Sequence, residues 1–104
     1  MDNAICRKVT VGNRQGIHLR PAYLIAELAG KYESDINLEA DGNRVNGKSV
    51  LEIIGLAAGQ GTELNVHADG PDASQAIDAI VQLVDQGFPG EEAAQAENGK
   101  MAQD

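Results

Sequence analysis

The residues best suited to chemistry lie between positions 16 and 22, which read GIHLRPA. His18 falls between a glycine-containing loop and the predicted start of a helix, where unpaired N–H groups and a partial positive charge favour phosphate oxygens. Arg20, two residues further on, can add directional guanidinium hydrogen bonds to the same oxygens. Because a neutral imidazole is a nucleophile near neutral pH, these residues allow His18 to act as a phosphoryl acceptor. The alternative is that His18 is only a surface or capping residue.

A second segment, residues 42–49, reads GNRVNGKS and matches the nucleotide-binding pattern G-x-x-x-x-G-K-[ST] in every specified position. A P-loop follows a buried parallel strand, whereas Asp41 and Gly42 predict a hairpin turn and residues 44–46 its return strand. The sequence also offers no apolar strand ending in Asp that could hold Mg²⁺. Nucleotide binding is therefore the least favoured function.

Residues 49–58 are predicted to form a short helix that is unusually apolar. Ser49 and Glu52 fit a capping box, in which the serine hydroxyl caps the helix and the glutamate side chain returns to the backbone. From residue 50 to residue 58 only Glu52 and Gly55 are not apolar, although a surface helix needs only one apolar stripe. Part of this helix should face outward, unless it is buried on all sides.

Seven elements must position these residues. Hydrophobic spacing predicts strands over 5–11, 35–40, 44–46 and 63–69, and helices over 21–31, 49–58 and 72–86. Pro21 suits a first helical turn, Gly30 is placed to help end that helix, and Asp72 with Gln75 is predicted to cap the last one. The order β-α-β-β-α-β-α predicts an α+β open-faced sandwich. It consists of a four-stranded, mostly antiparallel sheet with three helices on one face.

Composition limits the remaining possibilities. The 104 residues fit one domain, predicted over residues 1–88, followed by an acidic disordered tail over residues 89–104. A net charge of −8 argues against nucleic acid as a partner. No apolar run approaches the roughly 20 residues that cross a bilayer, and the N-terminus lacks signal-peptide features, so a cytoplasmic location is expected. Cys6, in a predicted strand, is expected to be buried and inert, and His67 to be solvent-exposed.

Several segments together resemble the HPr phosphocarrier family of the phosphoenolpyruvate-dependent phosphotransferase system. Besides the histidine motif, they are residues 46–56 (NGKSVLEIIGL), residues 59–64 (GQGTEL) and a Gly-Pro-Asp triplet at residues 70–72. The resemblance spans nearly the whole predicted domain, and the family's element order agrees with the one predicted from hydrophobic spacing.

The resemblance implies that phospho-Enzyme I phosphorylates His18 on Nδ1, that Arg20 binds the phosphate, and that the group passes to an EIIA-type acceptor domain. It implies a carrier that works only with partner phosphotransferases, not a complete enzyme. We expect a monomer that uses no cofactor, metal, nucleic acid or membrane. Ser49 would be the target of an HPr kinase/phosphorylase. The docking residues that the resemblance implies are Leu19, Tyr23, Val50, Leu51 and Ile54.

The resemblance leaves the pathway open between sugar transport and another branch. Glu27 and Gly30 stand where sugar-system relatives often carry lysines, and Tyr23 is bulkier than the small residue frequent there. Residues 83–88 (LVDQGF) are similar to the ending of nitrogen-branch carriers. The alternative function is a regulatory binding module of a nitrogen or carbon signalling branch, without sugar transport, that acts through Ser49 and partner docking.

Overall fold

The computed structural model describes residues 4–89, which fold into one four-stranded sheet and three helices. The strands are β1 (Ala4–Thr10), β2 (Asp35–Ala40), β3 (Asn43–Asn46) and β4 (Glu63–Asp69). The helices are α1 (Leu19–Ala29), α2 (Val50–Gly55) and α3 (Ala73–Asp85). The predicted element order is confirmed. Apart from its first residue, the predicted acidic tail lies outside the described residues.

The sheet has the strand order β1-β4-β2-β3, and every neighbouring pair is antiparallel. Because β4 lies inside the sheet, Cys6 of β1 and Asn37 of β2 flank His67 in register. Alternate side chains, such as Leu38 and Val66, are fully buried on the helical face. Polar side chains on the opposite face are exposed or half-buried. The predicted open-faced α+β sandwich is confirmed.

The core is almost entirely aliphatic, in keeping with an aromatic content of 3%. Ile53 is the one fully buried residue of α2, and Val50 and Ile54 are partly buried against the core beside it. Phe88, just beyond α3, is the only phenylalanine of the sequence and is fully buried. No helix within residues 4–89 combines the length and hydropathy needed to span a bilayer.

The ends of two helices differ in detail from the prediction. α2 ends at Gly55, three residues before the predicted end at Ala58, because Ala57 adopts a left-handed backbone conformation with φ of 56°. Gly30 does cap the C-terminus of α1, but its φ of −64° is right-handed. The conformational freedom of glycine is therefore not what ends α1.

The start of α3 is held by a tertiary contact in place of the predicted local cap. Asp72 is the N-cap residue, but its side chain makes no capping hydrogen bond. Its carboxylate accepts hydrogen bonds from the Ser34 hydroxyl at 2.6 Å, the Ser34 N–H at 2.9 Å and the Glu33 N–H at 2.9 Å. These bonds, the Ser34 hydroxyl foremost, lower the pKa of Asp72.

Two predictions about single side chains were wrong. Cys6 is exposed, because strand alternation places it on the face opposite the buried Val9. His67 is half-buried, with its Nε2 atom 2.8 Å from Glu39 Oε1 and 4.0 Å from Cys6 Sγ. The neighbouring strands thus give His67 an acidic partner that its own strand does not reveal.

Candidate functional site

His18 is the N-cap residue of α1, which confirms its predicted place between loop and helix. Its backbone is extended, with φ of −94° and ψ of −161°. Its carbonyl oxygen accepts a hydrogen bond from the Ala22 N–H at 3.0 Å. The residue is half-buried, so the imidazole is not sealed inside the core.

The first turn of α1 suits an anion. Leu19 and Arg20 carry the backbone N–H groups that remain for a ligand, because Pro21 has no N–H and the Ala22 N–H is bonded to His18. This turn contains no acidic side chain. Arg20 is exposed, so its guanidinium is accessible from solvent. The helix end favours negative charge beside residue 18, and an accessible guanidinium two residues away in sequence is a suitable donor to phosphate oxygens.

The loop before His18 is packed against the loop that follows α2. The Ile17 N–H donates to the Ala58 carbonyl oxygen at 2.8 Å. The Gly16 carbonyl oxygen accepts from Asn13 Nδ2 at 2.6 Å and from the His18 N–H at 3.2 Å. Sequence reasoning missed Ala58, because an alanine in a loop carries no chemical signal and its partner lies far away in sequence.

Ser49 is the N-cap residue of α2, and its hydroxyl oxygen accepts a hydrogen bond from the Glu52 N–H at 3.3 Å. This half of the predicted capping box is confirmed. The other half is wrong, because Glu52 Oε1 accepts from the Asn46 N–H at 3.1 Å instead of returning to the cap residue. Glu52 thereby joins α2 to the end of β3.

The residues proposed for docking differ in exposure. Leu19, Tyr23 and Leu51 are 66%, 52% and 83% exposed, whereas Val50 and Ile54 are partly buried against the core. α1 and α2 are packed neighbours. The three large exposed side chains therefore lie on adjoining helices, and α1 also begins with His18.

Tyr23 has a polar contact that the sequence did not suggest. Its hydroxyl donates to Glu27 Oε2 at 3.1 Å, one helical turn further along α1. This hydrogen bond and the negative charge of Glu27 raise the pKa of the Tyr23 phenol. The exposed face of α1 thus carries a carboxylate beside its apolar residues.

The segment that matches the P-loop pattern does not have the structure of a phosphate-binding loop. Its middle residues form β3, which is paired with β2. The Gly47 N–H donates to the Ile36 carbonyl oxygen at 2.7 Å, and Lys48 Nζ donates to the Tyr32 carbonyl oxygen at 2.8 Å. The middle of the segment is thus a strand, and the Gly47 N–H and the Lys48 ammonium are engaged by backbone carbonyl oxygens, so the structure opposes nucleotide binding here.

Within the described part of the chain, no group of three or more His, Cys, Asp or Glu side chains is placed to hold a metal ion.

Comparisons with known proteins point to one family. A family model described as the PTS HPr component phosphorylation site matches residues 5–86. The phosphocarrier protein HPr of Treponema pallidum (strain Nichols) is 42% identical over 84 residues, which make up 81% of this chain and 96% of that protein. The crystal structure of HPr-C-His from Thermoanaerobacter tengcongensis matches with a TM-score of 0.80 and 36% identity, over 84% of this chain and 98% of that one. The crystal structure of a phosphocarrier protein HPr from Bacillus anthracis str. Ames matches with a TM-score of 0.75 and 34% identity, over 78% of this chain and 96% of that one.

Proposed function

Because the chain belongs to the HPr phosphocarrier family of the phosphotransferase system, we propose that His18 accepts a phosphoryl group from phospho-Enzyme I and donates it to an EIIA-type acceptor domain. The observation that carries this proposal is the position of His18 as the N-cap residue of α1, partly exposed and two residues before Arg20. We further propose that the carrier acts as a monomer in the cytoplasm.

In the first transfer, the Nδ1 lone pair of a neutral His18 attacks the phosphorus atom while the donor group leaves with its electron pair. One bond to phosphorus forms and one breaks, and the proton on Nε2 stays in place. Charge on the three remaining phosphoryl oxygens is stabilised by the first-turn N–H groups of Leu19 and Arg20 and by the Arg20 guanidinium. The second transfer reverses these roles, because His18 is then the leaving group.

Docking residues on α1 and α2 would bring each partner to His18. Leu19, Tyr23 and Leu51 offer exposed apolar area, and the partly buried Val50 and Ile54 border it. Apolar surface of this kind marks contact sites on otherwise polar proteins. Since each transfer requires the partner's own site, the carrier is not a complete catalyst.

Incubation with phosphoenolpyruvate and Enzyme I tests the phosphoryl acceptor. The wild-type protein should gain one acid-labile phosphoryl group, detectable by intact mass and lost in acid. His18→Ala should gain none. His67→Ala, which removes the only other histidine, is the matched control and should be phosphorylated like the wild type. Labelling of His18→Ala would refute the proposal.

Ser49 is proposed as a regulatory phosphorylation site. A phosphate on its hydroxyl would lie at the N-terminus of α2, where the helix dipole tolerates negative charge. Incubation with ATP and an HPr kinase should give an acid-stable product that Ser49→Ala cannot form. If this product forms and the acid-labile one does not, the protein is the regulatory binding module and not a carrier.

A further inference from the structure

Two loops from distant parts of the sequence meet next to His18. The acceptor loop, residues 11–17, leads into α1, and the support loop, residues 56–62, joins α2 to β4. Besides the bond from Ile17 to Ala58, Gln60 Nε2 donates to the Gly12 carbonyl oxygen at 3.1 Å. Val11 makes two further backbone hydrogen bonds with the end of the support loop. Its carbonyl oxygen accepts from the Gly61 N–H at 2.7 Å, and its N–H donates to the Thr62 carbonyl oxygen at 2.9 Å.

Ala57 sets the direction of the support loop. Its N–H donates to the Ile54 carbonyl oxygen at 3.0 Å, and its φ of 56° turns the chain out of α2. A left-handed residue at this place after a helix is usually glycine, because a Cβ atom is disfavoured there. An alanine keeps such a conformation only when surrounding contacts impose it. Here the hydrogen bonds to the acceptor loop supply those contacts.

The acceptor loop is closely packed against this turn. Gly16 has φ of 71°, and a Cβ atom on it would lie 2.5 Å from the Ala58 carbonyl oxygen and 2.7 Å from Gly59 Cα. Ala58 is itself buried. The backbone of Ile17, just before His18, is therefore fixed by its hydrogen bond to the support loop. The His18 backbone is fixed to α1 by the hydrogen bond from the Ala22 N–H.

We propose that the support loop, whose direction is set by Ala57, is a positioning element for phosphoryl transfer. It fixes the backbone that carries His18, so that the imidazole is correctly placed for each partner. This inference rests on the proposed function of His18. Transfer requires the acceptor nitrogen in line with the leaving group, and a misplacement of about 1 Å costs a reaction about 100-fold in rate. Ala57 touches no reacting atom, so it acts through Ala58 and Ile17.

The test is phosphoryl uptake from phospho-Enzyme I by three variants of the full chain. Ala57→Val puts a β-branched residue at a left-handed position, and we expect kcat to fall about tenfold with KM for the carrier within about twofold of wild type, because the docking side chains are unchanged. Ala57→Gly adopts the same φ without steric cost and should retain kcat. Asp41→Val is the matched control, because Asp41 has φ of 51° in the β2–β3 turn at the other edge of the sheet. It should lose stability without loss of kcat.

Hydrogen exchange of the Ile17 amide reports on its hydrogen bond to the Ala58 carbonyl oxygen. Exchange should be faster than in the wild type for Ala57→Val, and unchanged for Ala57→Gly and Asp41→Val. If Ala57→Val does not fold, Gln60→Ala replaces it, because Gln60 is exposed and its loss should lower kcat about threefold by freeing Gly12. A kcat equal to wild type despite fast Ile17 exchange would overturn the inference while leaving the proposed function intact. A wild-type protein that takes up no phosphoryl group would overturn both.

Discussion

Substitution of Ser49 should separate the stability of the fold from the rate of phosphoryl transfer. The hydroxyl of Ser49 accepts from the Glu52 N–H at 3.3 Å, which is a long hydrogen bond. Loss of an N-cap side chain lowers the free energy of unfolding by about 0.5–2 kcal/mol. Because this bond is long, we expect a loss of about 0.5–1 kcal/mol for Ser49→Ala. In a domain of this size, that cost lowers Tm by about 2–8 °C.

Ser49→Asp should behave in the opposite way. A carboxylate at the N-cap keeps an acceptor for the Glu52 N–H and suits the helix dipole, so Tm should stay within about 2 °C of wild type. The added charge lies beside the proposed docking residues of α2, where it would repel an acidic partner. Surface charge pairs are worth about 0.2–1 kcal/mol, so we expect KM for phosphoryl uptake to rise by about 1.5- to 5-fold. Ser49→Ala should transfer at the wild-type rate.

Thermal unfolding followed by circular dichroism at pH 7 measures the first effect, and steady-state uptake from phospho-Enzyme I measures the second. The reasoning fails if Ser49→Asp loses as much stability as Ser49→Ala, because the hydroxyl would then not act as a cap. It also fails if Ser49→Ala slows transfer as much as Ser49→Asp, because charge would then not be the cause.

Three further predictions concern single residues. Arg20→Ala should lower kcat/KM of phosphoryl uptake by about tenfold or more, and Arg20→Lys by less, because lysine keeps the charge without the forked donors; both are measured by initial rates. Asp72→Asn should lower Tm most above about pH 4, where the carboxyl is ionised in both folded and unfolded chains. Because the pKa of Asp72 is lowered in the folded chain, the Tm difference between wild type and Asp72→Asn should shrink as pH falls below the ordinary value of 3.8. Melting curves from pH 7 to pH 2 measure this difference. Gly47→Ala places a Cβ atom 2.7 Å from Ile36 Cγ2 and should destabilise by about 1–3 kcal/mol in urea unfolding; a neutral result would contradict the close packing.

The fold was predictable because its elements have regular hydrophobic spacing. Ile36, Leu38 and Ala40 alternate along β2 as the sequence indicates, and all three are buried. The error at Cys6 came from reasoning by residue type, since the spacing from Val9 already places Cys6 on the other face of the strand. The cap of α3 was not predictable in the same way, because Asp72 bonds to Ser34 and Glu33 across the fold.

The candidate site was predictable where its residues are close together in sequence. His18 and Arg20 belong to one loop-helix junction, and Ser49 to another, so local capping rules place them. The support loop was not predictable, because a left-handed residue after a helix is usually glycine, whereas here it is Ala57, although glycines stand close by at 59 and 61. Its contact with Ile17 depends on how two helices pack, which no local pattern encodes.

The single thiol gives the molecule a natural attachment point. Cys6 is the only cysteine of the sequence, it is exposed, and it lies on the sheet face turned away from the helices that carry the candidate acceptor and docking residues. A fluorophore or a surface linker attached there leaves α1 and α2 accessible. Encounters with the proposed partners can therefore be followed by anisotropy or on a sensor chip without introducing a new cysteine.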